Sequence, residues 1–258
     1  MVYKNGPSFR IRPVSDIIAD LSEARKVHGP HIQTLFFPAG NTIAMPTADL
    51  AAICRYARQA FPSLERITVY GSSQYIHQKG PKDLKRLADA GLSRIHVGLE
   101  SGDDMTLQHI RKGTNCHQQI EAGCWVLEAG LEISLYVILG IGGKARTLEH
   151  AHQTAKALNH IGPTYTRLRT FVPKINTALL EEVQQGTFQM LSPHEVLAET
   201  ACLIDHISVA TYLASDHYTN YLNLEGPLPD NKHRFMAKLK KAGQQNESSF
   251  RPFFIGTQ

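Results

Sequence analysis

Apolar runs of the strand type recur along the chain roughly every 30 to 38 residues, and the stretches between them carry apolar positions at helical spacing. The runs are IQTLFFP (32–38), RITVYGS (66–72), RIHVGLES (94–101), EISLYVILGI (132–141) and YTRLRTFVP (165–173). Several are apolar at successive positions, as strands of a buried parallel sheet must be. Ser15 or Pro13 opens the first helix, which presents Ile17, Ile18, Leu21 and Ala24 on one face and stops at His28-Gly29-Pro30. Thr47 is placed to cap the second, where Leu50, Ile53, Cys54 and Ala57 repeat at helical spacing. PKDLKRLADAG ends on Gly91, Asp103-Asp104 opens DDMTLQHIRKG, HQQIEAGCWVLEAG ends on Gly130, and Thr147 opens TLEHAHQTAKALNHIG. Further on, SPHEVLAETACLIDHI reads as a helix, VATYLAS as a short strand and DNKHRFMAKLKKA as a closing helix.

Strands alternating with helices imply an α/β fold of parallel strands joined by right-handed crossovers. Five or six strands in simple succession, with ligand-type residues after nearly every one, favour a barrel or partial barrel over an open sheet. No low-complexity linker interrupts the 258 residues, so one domain is expected, with a barrel core at about 10–175 and a mainly helical extension at about 176–258. In such folds the loops after the strands build the site.

Composition adds exclusions. With 42% hydrophobic and 19% charged residues the usage is globular. The net charge of +4 is scattered, and the run Lys238, Lys240, Lys241 reads as the solvated face of the last helix, not as a nucleic-acid grip. Cys54, Cys116, Cys124 and Cys202 form no C-x-x-C, which signals neither zinc nor a redox pair; buried reduced thiols are expected, in keeping with a cytoplasmic protein. MVYKNGPSFR has no signal-peptide core, and no apolar run is long enough to cross a bilayer.

Four strand-end loops carry candidate chemistry: PAGN (38–41), YGSSQ (70–74), GLESGDD (98–104) and LGIGG (139–143). Gly40, Gly71 and Gly102 permit backbone to approach a ligand, and Gly140, Gly142 and Gly143 lie between a strand and a helix, an arrangement that can bind anions. Glu100 ends an apolar strand, where a carboxylate needs a partner. Arg111 and Lys112 can supply an ion pair, or Glu100 can serve a ligand. Asp216, His217 and Asn220 follow a late strand and either contact substrate or tie down the C-terminal helix. Tyr70 and Tyr75 can stack on a base or simply pack. His150 and His152, two apart on a helix, point to different faces and read as solvated.

HVGLESGDDMTLQHIRKG followed by AGLEISLYVILGIGG resembles the core of the radical S-adenosylmethionine (radical SAM) superfamily. FRIRP near the start and SDHYTNYLNLEGPLPDNK (215–232) resemble one bacterial branch of it. The resemblance, which runs from about Tyr3 to the end, implies a partial (β/α)6 TIM-type barrel. It places Pro38, Ala39, Gly40 and Asn41, with Ser72, where the family's Gly-Gly-Glu-like motif meets the methionine amino group, although this chain has no acid there. It implies contacts of Glu100 and Ser101 with the ribose or methionine moiety, of Arg111 with the methionine carboxylate, and of Ile138, Gly140 and Gly142 with the adenine.

The family also implies a [4Fe–4S] cluster held by C-x-x-x-C-x-x-C after the first strand, a reductant such as a flavodoxin or ferredoxin, and a small-molecule or macromolecular substrate. That motif does not occur here, so the barrel is expected to lack its first strand and the ligands of its cluster. Of two explanations, a longer natural product beginning upstream of Met1 is favoured over a cluster-free barrel that binds a nucleoside-like or phosphorylated ligand. No SAM cleavage is expected from the 258 residues themselves.

Overall fold

The computed structural model describes residues 9–38 and 40–256. In chain order the elements are α1 (Val14–His28), β1 (Thr34–Phe37), α2 (Thr47–Ala60), β2 (Arg66–Gly71), α3 (Ser73–Asp89), β3 (Arg94–Glu100), α4 (Asp104–His109), α5 (Cys116–Glu128) and β4 (Glu132–Leu139). They continue with α6 (Gly143–Ile161), β5 (Tyr165–Thr170), α7 (Ala178–Gln185), α8 (Pro193–His206), β6 (Thr211–Ala214), β7 (Glu225–Leu228) and α9 (Lys232–Ala242). The strands follow one another in the sheet in chain order. β1, β2 and β3 pair in parallel with Thr34 opposite Arg66 and Thr68 opposite Arg94, and β5 pairs in parallel with β6. β7 returns antiparallel to β6, with Thr211 opposite Leu228. This is an α/β fold on a mostly parallel seven-stranded sheet.

The period-2 geometry of a strand sends alternate side chains to opposite faces. On β3, Ile95, Val97 and Leu99 are buried whereas His96, Gly98 and Glu100 are half-buried. On β5, Thr166, Leu168 and Thr170 are buried and Tyr165, Arg167 and Arg169 are half-buried. On these two strands the half-buried face carries the aromatic and polar side chains.

Two compact units are distinguished. One comprises residues 9–98 with Glu121–Ser134. Its core packs Leu50, Ile53, Cys54 and Ala57 of α2, Ile67 and Val69 of β2, and Leu84 and Leu87 of α3. The other comprises Leu99–Ile120 and the residues from Leu135 onward. Its core includes Leu107, Leu158, Leu168, Leu203, Leu213 and Phe235.

Several boundaries differ from the sequence expectation. Pro46, not Thr47, is the N-cap of α2, and the Thr47 hydroxyl donates to Asp83 at 2.9 Å. α3 begins at Ser73 and bends at Gly80 (φ 70°), so PKDLKRLADAG is only its second half. α6 begins at Gly143 and is interrupted at Arg146, after which Thr147 resumes it. Two elements add to the expected set: α7, capped by the Thr177 hydroxyl and closed by Gly186 in the left-handed region, and β7. Among the described residues no helix is long and apolar enough to cross a membrane.

Candidate functional site

In the first unit the loop after β1 is folded against the end of β2. Gly71 lets this happen: a Cβ there would lie 2.9 Å from Ile95 Cγ2 and 3.1 Å from Ile43 Cγ2, so its missing side chain admits neighbouring residues, not a ligand. Asn41 follows Gly40, which turns the chain at φ 54° with open space around it. The Asn41 amide donates from Nδ2 to Ser72 Oγ at 3.0 Å, and Ser72 is the N-cap position of α3. The carbonyl oxygen Oδ1 of Asn41 is buried and accepts no hydrogen bond. A buried acceptor of this kind is costly unless a donor reaches it. Pro38 is exposed, and Ala39 lies outside the described residues.

On the polar faces of β1 to β3, Phe36, Tyr70 and His96 form an aromatic cluster with ring centroids 5.1 to 5.7 Å apart. Tyr70 is therefore engaged edge to face with Phe36.

In the second unit the GLESGDD loop is held by a buried polar network. Glu100 has φ 63°, unusual for a residue with a β-carbon, and its carboxylate accepts a 3.1 Å bond from Lys112. Of the two basic candidates Lys112 is its partner; Arg111 is exposed and itself adopts φ 53°. Ser101 is fully buried, its hydroxyl accepting from the Asp103 N–H at 3.0 Å and lying 2.8 Å from His150 Nδ1. A hydroxyl has one donor and two acceptor sites, so either Ser101 Oγ or His150 Nδ1 can supply the proton of this bond, according to the imidazole tautomer.

His150 is thus not solvated. It is 0% exposed, and burial lowers it to about 4, with Asp103 opposing the shift. Its Nε2 lies 3.6 Å from Glu199 Oε1. Glu199 accepts from the Gly140 N–H and the Thr147 hydroxyl, each at 2.6 Å. Burial raises its carboxyl to about 7 against the opposing pull of those two bonds.

Asp103 caps α4 by accepting from the Thr106 N–H and hydroxyl, and receives a two-pronged bond from the Arg146 guanidinium at 2.7 and 2.8 Å. Burial opposes ionisation here, but those donors together outweigh it and hold the carboxyl down to about 2. Gly102 packs against α6, its N–H donating to Thr154 Oγ1 at 2.9 Å; its backbone approaches a helix, not a ligand.

The glycine turn after β4 is shaped by Gly140 (φ 77°) and Gly143 (φ 60°), with Gly142 as the N-cap of α6. Ile138 packs on a cluster of Ile141, Phe171 and Phe188. A cavity of about 400 Å³ opens beside this turn, lined among others by Met105, His109, Ile141, Gly142, Arg146 and Phe188. In the SDHYTN turn, Asn220 donates to Leu168 O at 2.9 Å and accepts from Thr170 at 3.1 Å, so it ties the turn to β5. His217 is bonded to Thr219 and stacks on Tyr218, while Asp216 is exposed.

Two groups at this site escaped sequence reading. Glu199 sits on the buried face of α8 with Val196 and Leu203, and an acid inside an apolar helical stripe was the available signal. The Asp103–Arg146 pair, joined across 43 residues, left no local signal.

The radical SAM superfamily profile matches residues 1–158, and the chain belongs to that superfamily. The fold is shared with an N-terminally deleted Elp3 from the archaeon Methanocaldococcus infernus, at TM-score 0.58 and 14% identity, covering 90% of this chain and 59% of that one. It is also shared with the radical SAM enzyme coproporphyrinogen III oxidase (HemN) of Escherichia coli, at 0.58 and 13%, covering 96% and 57%. Methylornithine synthase (PylB) aligns at 0.55 and 12%, covering 95% and 77%. The chain therefore spans less than two thirds of the Elp3 and HemN structures. Among curated proteins no sequence matches significantly.

Proposed function

We propose that this chain is the SAM-binding core of a radical SAM enzyme and that Asn41 Oδ1 receives the α-ammonium of the methionyl group. The observation that carries this reading is the buried, unbonded Asn41 Oδ1, fixed in place by the Nδ2 bond to Ser72. An ammonium supplies three donors, and a desolvated amide oxygen is the neutral counterpart of the acid that other members place at this motif. The strained φ of Glu100, within the resemblance's ribose-contact segment, is further support, because such backbone is retained where a function needs it. Ser101, with its hydroxyl consumed by His150 and Asp103, acts as a brace for that segment.

The chain's own cysteines do not fit a [4Fe–4S] cluster. Cys54 is wholly buried in α2 with its thiol pushed up to about 12, Cys116 and Cys124 lie on α5, and Cys202 lies on α8. No three of them belong to one loop, where the resemblance puts the ligands of the family's cluster. SAM supplies a reactive sulfonium when bound; the residues described here bind and orient it, and no cleavage is expected from these 258 residues alone.

Titration calorimetry with SAM and with S-adenosylhomocysteine tests the reading. Both should bind, and Asn41→Ala should weaken binding by about 10- to 100-fold, the worth of a hydrogen bond to a charged group. Equal affinity of the variant, or no binding by the parent chain, overturns it. The cavity beside Gly142 favours a second reading, a phosphorylated ligand at the glycine turn. Against it, Arg146 and Lys144 are committed to Asp103 and Glu195, and the N–H groups of Gly143 and Lys144 to Gly140 O and Gln189 O. A phosphosugar or nucleotide that raises the melting temperature while SAM does not would favour it.

A further inference from the structure

We propose that His152, Cys202 and His206 form a binding site for a divalent transition-metal ion, with zinc the best match. The three side chains converge from two packed helices, and one ligand atom of each lies within 4.8 Å of those of the other two. Cys202 and His206 are four apart on α8, the spacing that stacks two side chains on one helical face. His152 comes from α6 and brings its ring within 4.4 Å of the His206 ring, centroid to centroid.

Hydrogen bonds orient His206 and hold the end of α8 before any ion arrives. His206 Nδ1 donates to Cys202 O at 2.8 Å, which leaves Nε2 as the lone-pair nitrogen. His206 O accepts from Asn159 Nδ2 of α6 at 2.8 Å, and Asn159 Oδ1 accepts the N–H groups of Ser208 and Val209. Lys232 donates to Asp205 O at 2.7 Å. The end of α8 that carries the histidine is thereby locked to the helix that carries the other.

Bond lengths of about 2.3 Å to sulfur and 2.0 Å to nitrogen put tetrahedral ligands about 3.3 to 3.7 Å apart, within reach of rotamer adjustments from the present spacing. One thiolate and two imidazoles suit zinc, cobalt or copper and not magnesium or calcium. On binding, the Cys202 thiol gives its proton to solvent and its sulfur becomes a thiolate ligand, with no change of oxidation state. Three protein ligands leave the fourth position to water, so the site clamps α6 to α8 and keeps one open coordination position. Its exposed histidines make it directly accessible to ions in solution. The inference does not depend on the SAM reading.

Cobalt(II) is the probe. Chelator-treated full chain titrated with cobalt should take up one equivalent, with sulfur-to-cobalt charge-transfer absorption and the intense visible bands of a tetrahedral ion. Cys202→Ser should abolish the charge-transfer band, and His152→Ala or His206→Ala should weaken binding by about tenfold or more. Zinc should also shield Cys202, and not Cys116 or Cys124, from alkylation as mapped by peptide mass, a readout that needs no variant. Unchanged spectra in Cys202→Ser, an absent thiolate band, or equal alkylation of Cys202 with and without zinc would each overturn the site.

Discussion

The buried carboxylate of Glu199 receives the backbone N–H of Gly140 at 2.6 Å, so the glycine turn after β4 is anchored from α8 by one side chain. Burial raises Glu199 to about 7 and lowers His150 beside it to about 4. The two act on stability in opposite directions. Glu199, raised in the fold, contributes stability that is complete below its ordinary value of 4.5 and is lost as pH rises through about 7. His150, lowered in the fold, contributes stability that is complete above its ordinary 6.5 and is lost as pH falls through about 4.

Glu199→Gln removes the first of these and keeps an acceptor for the Gly140 N–H. Its melting temperature relative to the parent chain should therefore improve between about pH 4.5 and about pH 7.5. Glu199→Ala, which leaves that N–H and the Thr147 hydroxyl unpaired beside a cavity, should cost about 2–4 kcal/mol. Thermal melts across pH check both, and a constant difference between Gln variant and parent would contradict the assignment of Glu199.

Gly102→Ala should be among the most damaging single-methyl changes. A Cβ there would stand 2.3 Å from Gln153 O and 2.8 Å from Thr154 Cα, and both are backbone atoms of α6 that cannot rotate away. Overpacking of this kind costs about 1–3 kcal/mol or more, equivalent to roughly 2–4 °C of melting temperature per kcal/mol in a chain of this size. Gly130→Ala is the control: its φ of 85° is strained for alanine but no atom lies near, so the loss should be about 1 kcal/mol. Denaturant unfolding of the pair gives the comparison, and an equally mild Gly102→Ala would show that the loop and α6 can separate.

Thiol reactivity should be graded. Cys54 is 0% exposed with its thiol pushed up to about 12, and Cys116 is raised to about 11 by burial, with Asp104 adding to it. Brief alkylation of the folded chain should therefore label Cys124 and Cys202 first, Cys116 more slowly, and Cys54 only on unfolding. Peptide mass mapping over time reads the order. Labelling of Cys54 at the rate of Cys202 would mean that α2 opens under native conditions.

The strands from 34 to 170 were legible because apolar residues follow one another along most of them, and the last helices were legible from 3.6-residue spacing. β7 was not, since Glu-Gly-Pro-Leu contains two residues that ordinarily argue against a strand, and only its pairing with β6 makes it one. Thr47 and Thr147 looked like caps by type, yet each hydroxyl is spent on a distant carboxylate, Asp83 and Glu199. His150 looked exposed because only the fold supplies Ser101 and Glu199 on either side of its ring. At the candidate site, the family resemblance singled out Asn41, Ser72 and Glu100. The unbonded Oδ1, the strained φ and the lysine partner are properties of the fold, which no spacing rule records.

The way β7 is finished has a consequence for how these molecules behave in a crowd. Pro227 offers no N–H at its position, its carbonyl is taken by the backbone and side chain of Asn231, and the Glu225 carbonyl is taken by Arg234. A neighbouring polypeptide seeking to extend the sheet there would find no donor at Pro227 and no free acceptor at Pro227 or Glu225, which discourages self-templated aggregation along this margin.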